Sequence, residues 1–260
     1  MVGVIVGPTY DVAMTPTADV VLEQLLQHRS IRKFHHEPVP DDTLLKAIEA
    51  GQQAATSSNI QAYSVIRIRE PQRLRRMVEL TGGQQKVAEC GGFLVICGDT
   101  RRHRLVASRS GKPHASNLET FMLATIDASL FAQNLVIALE AMGWGTCYIG
   151  GLRNDLAGVF ELLKTPEGVW PLFGLCIGRP DQDPEIRPRL DPAAVFFDET
   201  YPDDATMLGR IDDYDARMGD WYQRQGIDSP GWVARMEKQF GQPQRTESAR
   251  CYRRLGADFE

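Results

Sequence analysis

The feature that most limits the possible folds is a long stretch of mostly apolar residues between positions 117 and 142. It is NLETFMLATIDASLFAQNLVIALEAM, and Gly143 follows it as a typical helix terminator. Apolar side chains cover most of the circumference of the predicted helix, so it needs neighbours on every side. In a chain of 260 residues, the simplest way to bury about seven helical turns is to pack them against a second copy across a two-fold axis. The stretch therefore predicts a homodimer with a long central helix.

Four shorter apolar runs are typical of β-strands. They lie at residues 62–69, 93–98, 145–151 and 170–180. The nearly continuous apolar character of the run at 93–98 indicates a strand that is buried on both faces, with helices packed against the sheet. The segments between the runs do not repeat a regular strand–helix–strand unit. This favours an α+β fold over a doubly wound sheet.

Apolar spacing and capping residues predict the remaining helices and a division of the chain. The first helix is expected at 17–27 behind a Thr17 cap. The second is expected to begin at a cap formed by Asp41 or Asp42 and to have Leu44, Leu45 and Ile48 on one face. Three more helices are expected, one that begins near Pro71, one at 156–163 and one at 205–222. We divide the chain into a loose N-terminal extension at 1–16, a core at 17–202, and a helical excursion at 203–260 that completes the binding site or the dimer.

Charge and composition argue against several classes of function. The 29 basic and 34 acidic side chains leave a net charge of −5, which offers no electrostatic footprint for nucleic acid or an anionic membrane. We also expect no stretch of the roughly 20 apolar residues that a bilayer span requires. The N-terminal residues lack the positive region of a signal peptide.

The cysteines and nucleotide motifs add further exclusions. The five cysteines are odd in number and form no CxxC pair, so we expect no metal centre, and four of them lie in apolar runs typical of the core. This usage fits a reducing, cytoplasmic compartment. No GxGxxG or GxxxxGK[ST] sequence is present, which argues against a Rossmann or P-loop nucleotide site.

Two basic clusters and a glycine pair are the candidate binding segments. HRSIRKF at 28–34 places a hydroxyl and several cationic groups at the end of a predicted helix, which suits an anion as well as a solvated turn. Arg187 and Arg189 are two residues apart on a proline-rich segment, so both can point at one anion. Gly150 and Gly151, in YIGGLRN, allow the backbone to approach a planar ligand closely.

Taken together, these segments resemble the nitroreductase superfamily, in particular its NADPH-dependent flavin reductases and oxygen-insensitive major nitroreductases. The motifs HRSIRKF, TGGQ, AQN, YIGGLRN, LLK, FGLCIG and RPRL occur in the order and at the spacing of that family, from about residue 17 to residue 222. The resemblance implies a mainly antiparallel central sheet covered by helices, a long dimer helix, and one non-covalent FMN per subunit. It also implies NADPH as the donor, NADH as a weaker one, and small planar acceptors such as nitroaromatics, quinones or flavins.

The resemblance also assigns roles to individual residues of this chain. Around the phosphate, His28, Arg29 and Ser30 would hold the FMN phosphate and ribityl side, and Arg187 and Arg189 would close over the phosphate. Around the ring, Arg32 would face the flavin N1 and O2 edge, and Gln84 would contact the ribityl or pyrimidine side. Two further segments would lie along the ring: Thr56, Ser57 and Ser58 near it, and Tyr148, Ile149, Gly150 and Gly151 running along it. Several family members take part of this site from the second subunit. No side chain is expected to be catalytic in the strict sense, because the flavin carries the chemistry.

The donor site and the overall function leave alternatives open. Arg153 and Arg224 are expected at the mouth of the site, with Asp228 opposing Arg224, so the preference for NADPH is expected to be modest. Other activities on the same scaffold remain possible, such as dehalogenation or flavin destruction, as does a flavin-binding redox sensor or carrier without turnover. A different class is a helical dimer whose arginine clusters only bind anions.

Overall fold

The structure is a computed structural model that describes residues 16–259, with side chains from residue 19 onward. The helices are α1 Pro16–Leu26, α2 Asp41–Gln52, α3 Pro71–Leu80, α4 Lys86–Glu89, α5 Arg101–Arg109, α6 Leu118–Ala141, α7 Leu156–Leu163, α8 Asp204–Arg224, α9 Trp232–Phe240 and α10 Ser248–Arg254. The strands are β1 Tyr63–Ile68, β2 Gly92–Asp99, β3 Gly145–Ile149 and β4 Val169–Gly178. The predicted extension at 1–16 lies outside the described residues, apart from Pro16, which begins α1.

The four strands form one antiparallel sheet in the order β1-β2-β4-β3. Val95 in β2 lies between Ile66 of β1 and Gly174 of β4. Residues 93–99 are all buried, as the continuous apolar run predicts for a central strand with helices on both sides. The α+β prediction is confirmed.

Helix α6 packs one face against the sheet and leaves an apolar stripe uncovered. The Asn117 side chain caps the helix by accepting a hydrogen bond from the Thr120 amide at 3.0 Å. The buried face consists of Ala124, Asp127, Ala128, Phe131, Ala132, Leu135, Val136 and Leu139. The exposed stripe consists of Leu118, Met122, Ile126 and Leu130, which recur every four residues and are 42–50% exposed. The helix therefore has one apolar face that residues 19–259 leave exposed.

Helix α6 also corrects the expectation that no stretch could cross a bilayer. Among the described residues it is the one helix long and apolar enough to do so, judged by length and composition alone. Its buried face contacts the sheet and contains a hydrogen-bonded carboxylate, Asp127, which is the arrangement of a core helix.

Several local predictions need correction. Helix α1 begins at Pro16, so Thr17 lies inside its first turn and is not the cap. Helix α2 has no side-chain cap, because its N-cap residue is Pro40; Asp41 lies in the first turn and binds Arg67 at 2.5 Å, and Leu45 is exposed rather than on the buried face. Strand β3 ends at Ile149, and residues 150–154 form a 3-10 turn instead of continuing the strand.

The C-terminal part contributes two helices that the sequence pattern did not predict, α9 and α10. Helix α8 forms a small apolar cluster with Trp232 of α9, separate from the main core. Helix α10 docks on the core, since Tyr252 is buried and donates a hydrogen bond to the Pro171 carbonyl at 2.8 Å. The Trp170 indole donates to the Leu255 carbonyl at 3.0 Å and fixes the same segment.

Candidate functional site

The two basic segments, one at 28–34 and the other containing Arg187 and Arg189, are far apart in the sequence but line the same pocket of about 270 Å³. We call it the basic pocket; it is lined by His28, Arg29, Ser30, Arg32, Pro184, Glu185, Arg187, Arg189, Trp221, Gln225 and Ile227. The predicted phosphate-site residues of both segments are thus neighbours in space. Trp221, Gln225 and Ile227 come from the C-terminal excursion and were not predicted, because no local motif marks them.

Backbone hydrogen bonds to the edge of the sheet hold the first basic segment, HRSIRKF at 28–34, in place. The Ile31 amide donates to the Thr146 carbonyl of β3 at 2.9 Å, and the His35 amide donates to the Arg179 carbonyl at 3.0 Å. Ile31 and Phe34 are buried beneath it. These contacts leave the polar side chains of the segment on the outer side, where they line the basic pocket.

The cations of the basic pocket are only partly neutralised by the protein. Arg29 forms an ion pair with Asp183, yet its buried Nε has no hydrogen-bond partner. The Arg187 guanidinium lies 4.9 Å from the centroid of the Trp221 ring, and Arg189 donates to the Arg187 carbonyl at 3.0 Å. Among the described side chains, Arg32, Arg187 and Arg189 have no carboxylate within ion-pair distance. The pocket therefore has an excess of positive charge.

A second group of predicted residues surrounds the turn that follows β3. A Cβ atom at Gly151 would lie 2.2 Å from Gln84 Nε2 and 2.7 Å from the Thr81 carbonyl oxygen. Gln84 itself donates to that carbonyl at 2.9 Å. The TGGQ and YIGGLRN segments thus pack backbone to side chain, and only glycine fits at 151. Arg153, in the same turn, donates to the Leu172 carbonyl at 2.7 Å.

The hydroxyl-rich loop is held by a buried carboxylate on α6. Thr56 Oγ1 donates to Asp127 at 2.6 Å, and the Ala62 amide donates to the same carboxylate at 2.9 Å. Ser58, in this loop, is one of several non-glycine residues with left-handed backbone, at φ 48°. Asp127 was missed by the sequence analysis, although a lone aspartate in an apolar helix was a usable signal. Thr56, Ser57 and Ser58 do not line the basic pocket of their own chain.

Arg32 lies close to β3, the strand that contains Tyr148. Burial raises the pKa of the Cys147 thiol in this strand, while the nearby charges of Arg32 and Lys86 act in the opposite direction. Burial also raises the pKa of Tyr148, helped by Glu140. The Tyr148 ring contacts Phe173 edge-on, with centroids 5.4 Å apart. Arg32 therefore places a cation beside the strand that leads into the glycine turn.

Arg224 is engaged differently from the prediction. It forms an ion pair with Glu185 at 3.0 Å, and Gln225 donates to the same carboxylate. Its acidic neighbour is thus Glu185 rather than Asp228. The ion pair is exposed to solvent, so we expect it to be weak.

A cavity larger than the basic pocket lies elsewhere in the described part of the chain. It measures about 970 Å³ and is lined by residues of α2, β1, α5 and α6, among them Tyr63, Arg102, His103 and Phe131. None of the predicted site residues lines it. Choosing the binding site by cavity volume alone would therefore not select the basic pocket.

Comparison with known families identifies the fold that carries these groups. Residues 25–179 match the Nitroreductase family, and residues 187–260 match the Nitroreductase family, C-terminal domain. The chain belongs to the nitroreductase family. The predicted resemblance is confirmed, and the second match covers the C-terminal helices that contribute Trp221 to the basic pocket.

Relatives of this chain match it over most of its length. It is 41% identical over 209 residues to FMN reductase (NADPH) of Bacillus subtilis, covering 78% of this chain and 83% of that protein. It is 39% identical over 214 residues to an oxygen-insensitive NADPH nitroreductase of Salmonella typhimurium, covering 82% and 85%. The structure of the NADPH:FMN oxidoreductase of Vibrio harveyi, complexed with NAD⁺, superposes with a TM-score of 0.83 at 34% identity, covering 91% of this chain and 98% of that one.

Proposed function

We propose that this nitroreductase binds one non-covalent FMN per subunit at the basic pocket and passes hydride equivalents from NADPH to small planar acceptors. NADH is proposed as a weaker donor, and nitroaromatics, quinones and flavins as acceptors. The activity class, an NAD(P)H-dependent flavin oxidoreductase, is that of relatives named FMN reductase (NADPH) and NADPH-flavin oxidoreductase, the latter 38% identical over 201 residues. The observation that supports the FMN site is the convergence of Arg29, Arg187 and Arg189 on one pocket.

The residues of the basic pocket fit a phosphate monoester. Guanidinium groups bind phosphate oxygens in a bidentate way, and a serine hydroxyl such as Ser30 adds a neutral donor. The buried, unpartnered Nε of Arg29 is a donor that an anion can satisfy. His28 is held by Glu140 at 2.8 Å, so it supports the wall of the pocket. These features suit the FMN phosphate better than a solvated basic turn.

The turn after β3 suits the flat ring system. Gly150 and Gly151 give it a surface without side chains, and Gln84 lies against Gly151 with its amide nearby. Arg32 adds a fixed cation where the flavin N1 and O2 edge is proposed, which stabilises negative charge there. When bound, FMN supplies the two-electron hydride chemistry, so we assign no catalytic side chain and no metal.

A homodimer completes the proposed site. The apolar stripe Leu118, Met122, Ile126 and Leu130 requires a partner, and a second copy provides the matching surface. Thr56–Ser58 lie apart from the basic pocket of their own chain, which suits a contribution to the site of the second subunit. We further propose that the excursion at 203–260 completes the site, as Trp221 does by covering Arg187.

We propose a cytoplasmic location and no nucleic-acid or membrane partner. All five cysteines are free thiols, and four of them are buried, as expected for a protein in a reducing compartment. The acidic net charge of −5 is consistent with these proposals.

Anaerobic titration of the purified protein tests the function directly. We expect a yellow protein whose flavin absorbance bleaches with NADPH and returns on addition of a quinone, over many cycles. One reduction without sustained turnover would instead indicate a redox carrier or sensor. A colourless protein that gains no flavin when FMN is added would contradict the proposal and favour a dimer that only binds anions.

A further inference from the structure

A second cationic pocket lies between the turn after β3 and the C-terminal tail. It measures about 300 Å³. Three arginines line it, Arg153 from the turn and Arg245 and Arg250 from the tail, together with Asn154, Thr246 and Ser248. None of its lining residues lines the basic pocket, so the two pockets are separate features of the fold.

Two of these arginines keep charge that the described part of the chain does not neutralise. Arg245 Nε donates to Asn154 Oδ1 at 3.1 Å, and Arg153 donates to the Leu172 carbonyl at 2.7 Å, so both are held by neutral acceptors. Neither has a carboxylate within ion-pair distance among the described residues. Burial lowers the pKa of Arg245, and the charge of Arg153 lowers it further. Two like charges are thus held close together.

The acidic side chains of the pocket are already occupied. Glu247 forms an ion pair with Arg250 at 2.5 Å. Asp155 caps α7, where its carboxylate accepts a hydrogen bond from the Gly158 amide at 2.9 Å. A carboxylate that caps a helix is not free to turn toward the arginines without losing that bond. The pair Arg153 and Arg245 therefore remains available to an external anion.

The position of the pocket connects it with the proposed flavin site. Arg153 lies two residues beyond Gly151, which packs against Gln84, and both belong to the same 3-10 turn. The tail that carries Arg245 is anchored to the core through Tyr252 and Leu255. A group bound between Arg153 and Arg245 would therefore lie at one end of the surface proposed for the ring.

We propose that Arg153 and Arg245 form a phosphate-binding site for a substrate, separate from the pocket that holds the cofactor phosphate. The inference rests on the proposed function, because it concerns the phosphate of either the donor or the acceptor. The two sources with this chemistry are the 2′-phosphate of NADPH and the phosphate of an FMN molecule reduced as a substrate. Paired guanidinium groups are suited to either, since each phosphate oxygen accepts charge-assisted hydrogen bonds.

The test compares Arg245→Gln, Arg245→Lys and a control, Arg254→Ala, an exposed arginine on α10 outside the pocket. Glutamine keeps a donor for Asn154 without the charge, while lysine keeps the charge. We measure kcat/KM for NADPH and NADH with an uncharged quinone, and for FMN and riboflavin with NADH as donor. Arg245→Gln is expected to lower the value for the phosphate-bearing member of one pair by about 2- to 5-fold, as for an exposed charge. Lysine should restore most of the loss, and Arg254→Ala should behave as wild type.

The pair of substrates that responds identifies the source of the phosphate. A loss for NADPH but not NADH assigns the site to the donor, and a loss for FMN but not riboflavin assigns it to the acceptor. Equal losses for all four substrates, or no loss for any, would overturn the inference. Calorimetric binding of pyrophosphate to the FMN-loaded protein provides a readout without turnover. If the wild type fails to reduce any acceptor but binds pyrophosphate and Arg245→Gln does not, the proposed function fails while the anion site stands.

Discussion

At the scale of single residues, the arginines in and around the basic pocket differ in whether a carboxylate of the protein neutralises their charge. Arg29 has Asp183 and Arg224 has Glu185 as ion-pair partner, whereas within the described part of the chain Arg187 contacts an aromatic ring and Arg189 donates to a backbone carbonyl, and neither has a carboxylate partner. A charge without a counterion gains most from an added anion, because no existing ion pair has to be broken. Single substitutions in this set should therefore have unequal effects on phosphate-bearing ligands.

Replacing Arg189 with alanine should weaken FMN binding through its phosphate. The loss of one charge-assisted contact corresponds to roughly 1.5–3 kcal/mol, or about 10- to 150-fold in Kd. Lumiflavin, which has no phosphate, should bind equally well to both proteins. Fluorescence titration of the two ligands measures this. A parallel decrease for lumiflavin would mean that Arg189 supports the fold rather than the phosphate.

Replacing Arg224 with alanine tests the predicted donor contact. Since Glu185 already engages this exposed arginine, we expect KM for NADPH to rise by only about 2- to 5-fold, with KM for NADH almost unchanged. The difference between the donors should shrink at higher salt, because exposed charges are screened. Steady-state assays at two ionic strengths measure both effects. The same loss with both donors would exclude Arg224 as a contact of the 2′-phosphate.

At the scale of elements, the turn after β3 packs so closely against its neighbours that a side chain at Gly151 would clash with them. Its backbone lies against Gln84 and Thr81, and its later residues reach Leu172 and the C-terminal tail. A 3-10 turn at this point ends the strand and contains Gly150 and Gly151, which are both half-buried. Changes at two adjacent glycines should therefore be distinguishable.

Gly151→Ala and Gly150→Ala form a matched pair for this turn. A methyl group at 151 would lie 2.2 Å from Gln84 Nε2 and 2.7 Å from the Thr81 carbonyl, whereas one at 150 would lie 3.5 Å from its nearest atom, on Arg153. We expect Gly151→Ala to cost about 1–3 kcal/mol, lowering Tm by about 3–10 °C, and to weaken FMN binding. Gly150→Ala should leave Tm within about 2 °C of wild type. Calorimetry on both variants measures this, and equal melting temperatures would refute the packing argument.

At the scale of the whole molecule, the uncovered face of α6 is the feature that calls for a second subunit. Leu118, Met122, Ile126 and Leu130 form an exposed apolar stripe on this helix, and α1, whose Gln24 donates to the Ile137 carbonyl of α6, has further exposed apolar side chains at Val21 and Leu25. Exposed apolar surface of this kind is typical of subunit interfaces.

Ile126→Glu should shift the protein from dimer to monomer. A buried, unpaired carboxylate at the centre of the proposed interface opposes association on both copies at once. Leu105→Glu on α5, where the leucine is equally exposed, is the control and should remain dimeric. Light scattering gives the mass, and flavin absorbance shows whether FMN is released with dissociation. A dimeric Ile126→Glu protein would mean that this stripe is not the interface.

The sequence by itself determined the elements whose pattern is local. The central strand β2, the long helix α6 and helix α7 lie within a residue or so of the predicted bounds, because side-chain periodicity and capping are properties of near neighbours. The family was also readable from the order of short motifs, and the family match confirms it.

Only the tertiary structure decided which of those residues meet. Asp127 holds Thr56 across 71 positions, and Arg29 reaches Asp183 across 154. The turn after β3 contacts both Gln84 and Arg245, although neither is near it in sequence. Such pairings depend on how complete elements pack, and one set of local elements is compatible with several packings. For the same reason, the sequence predicted the types of residue in the site, while the fold brought residues 28–30, Arg32, Arg187 and Arg189 into one cationic pocket and placed Arg153 in a separate one.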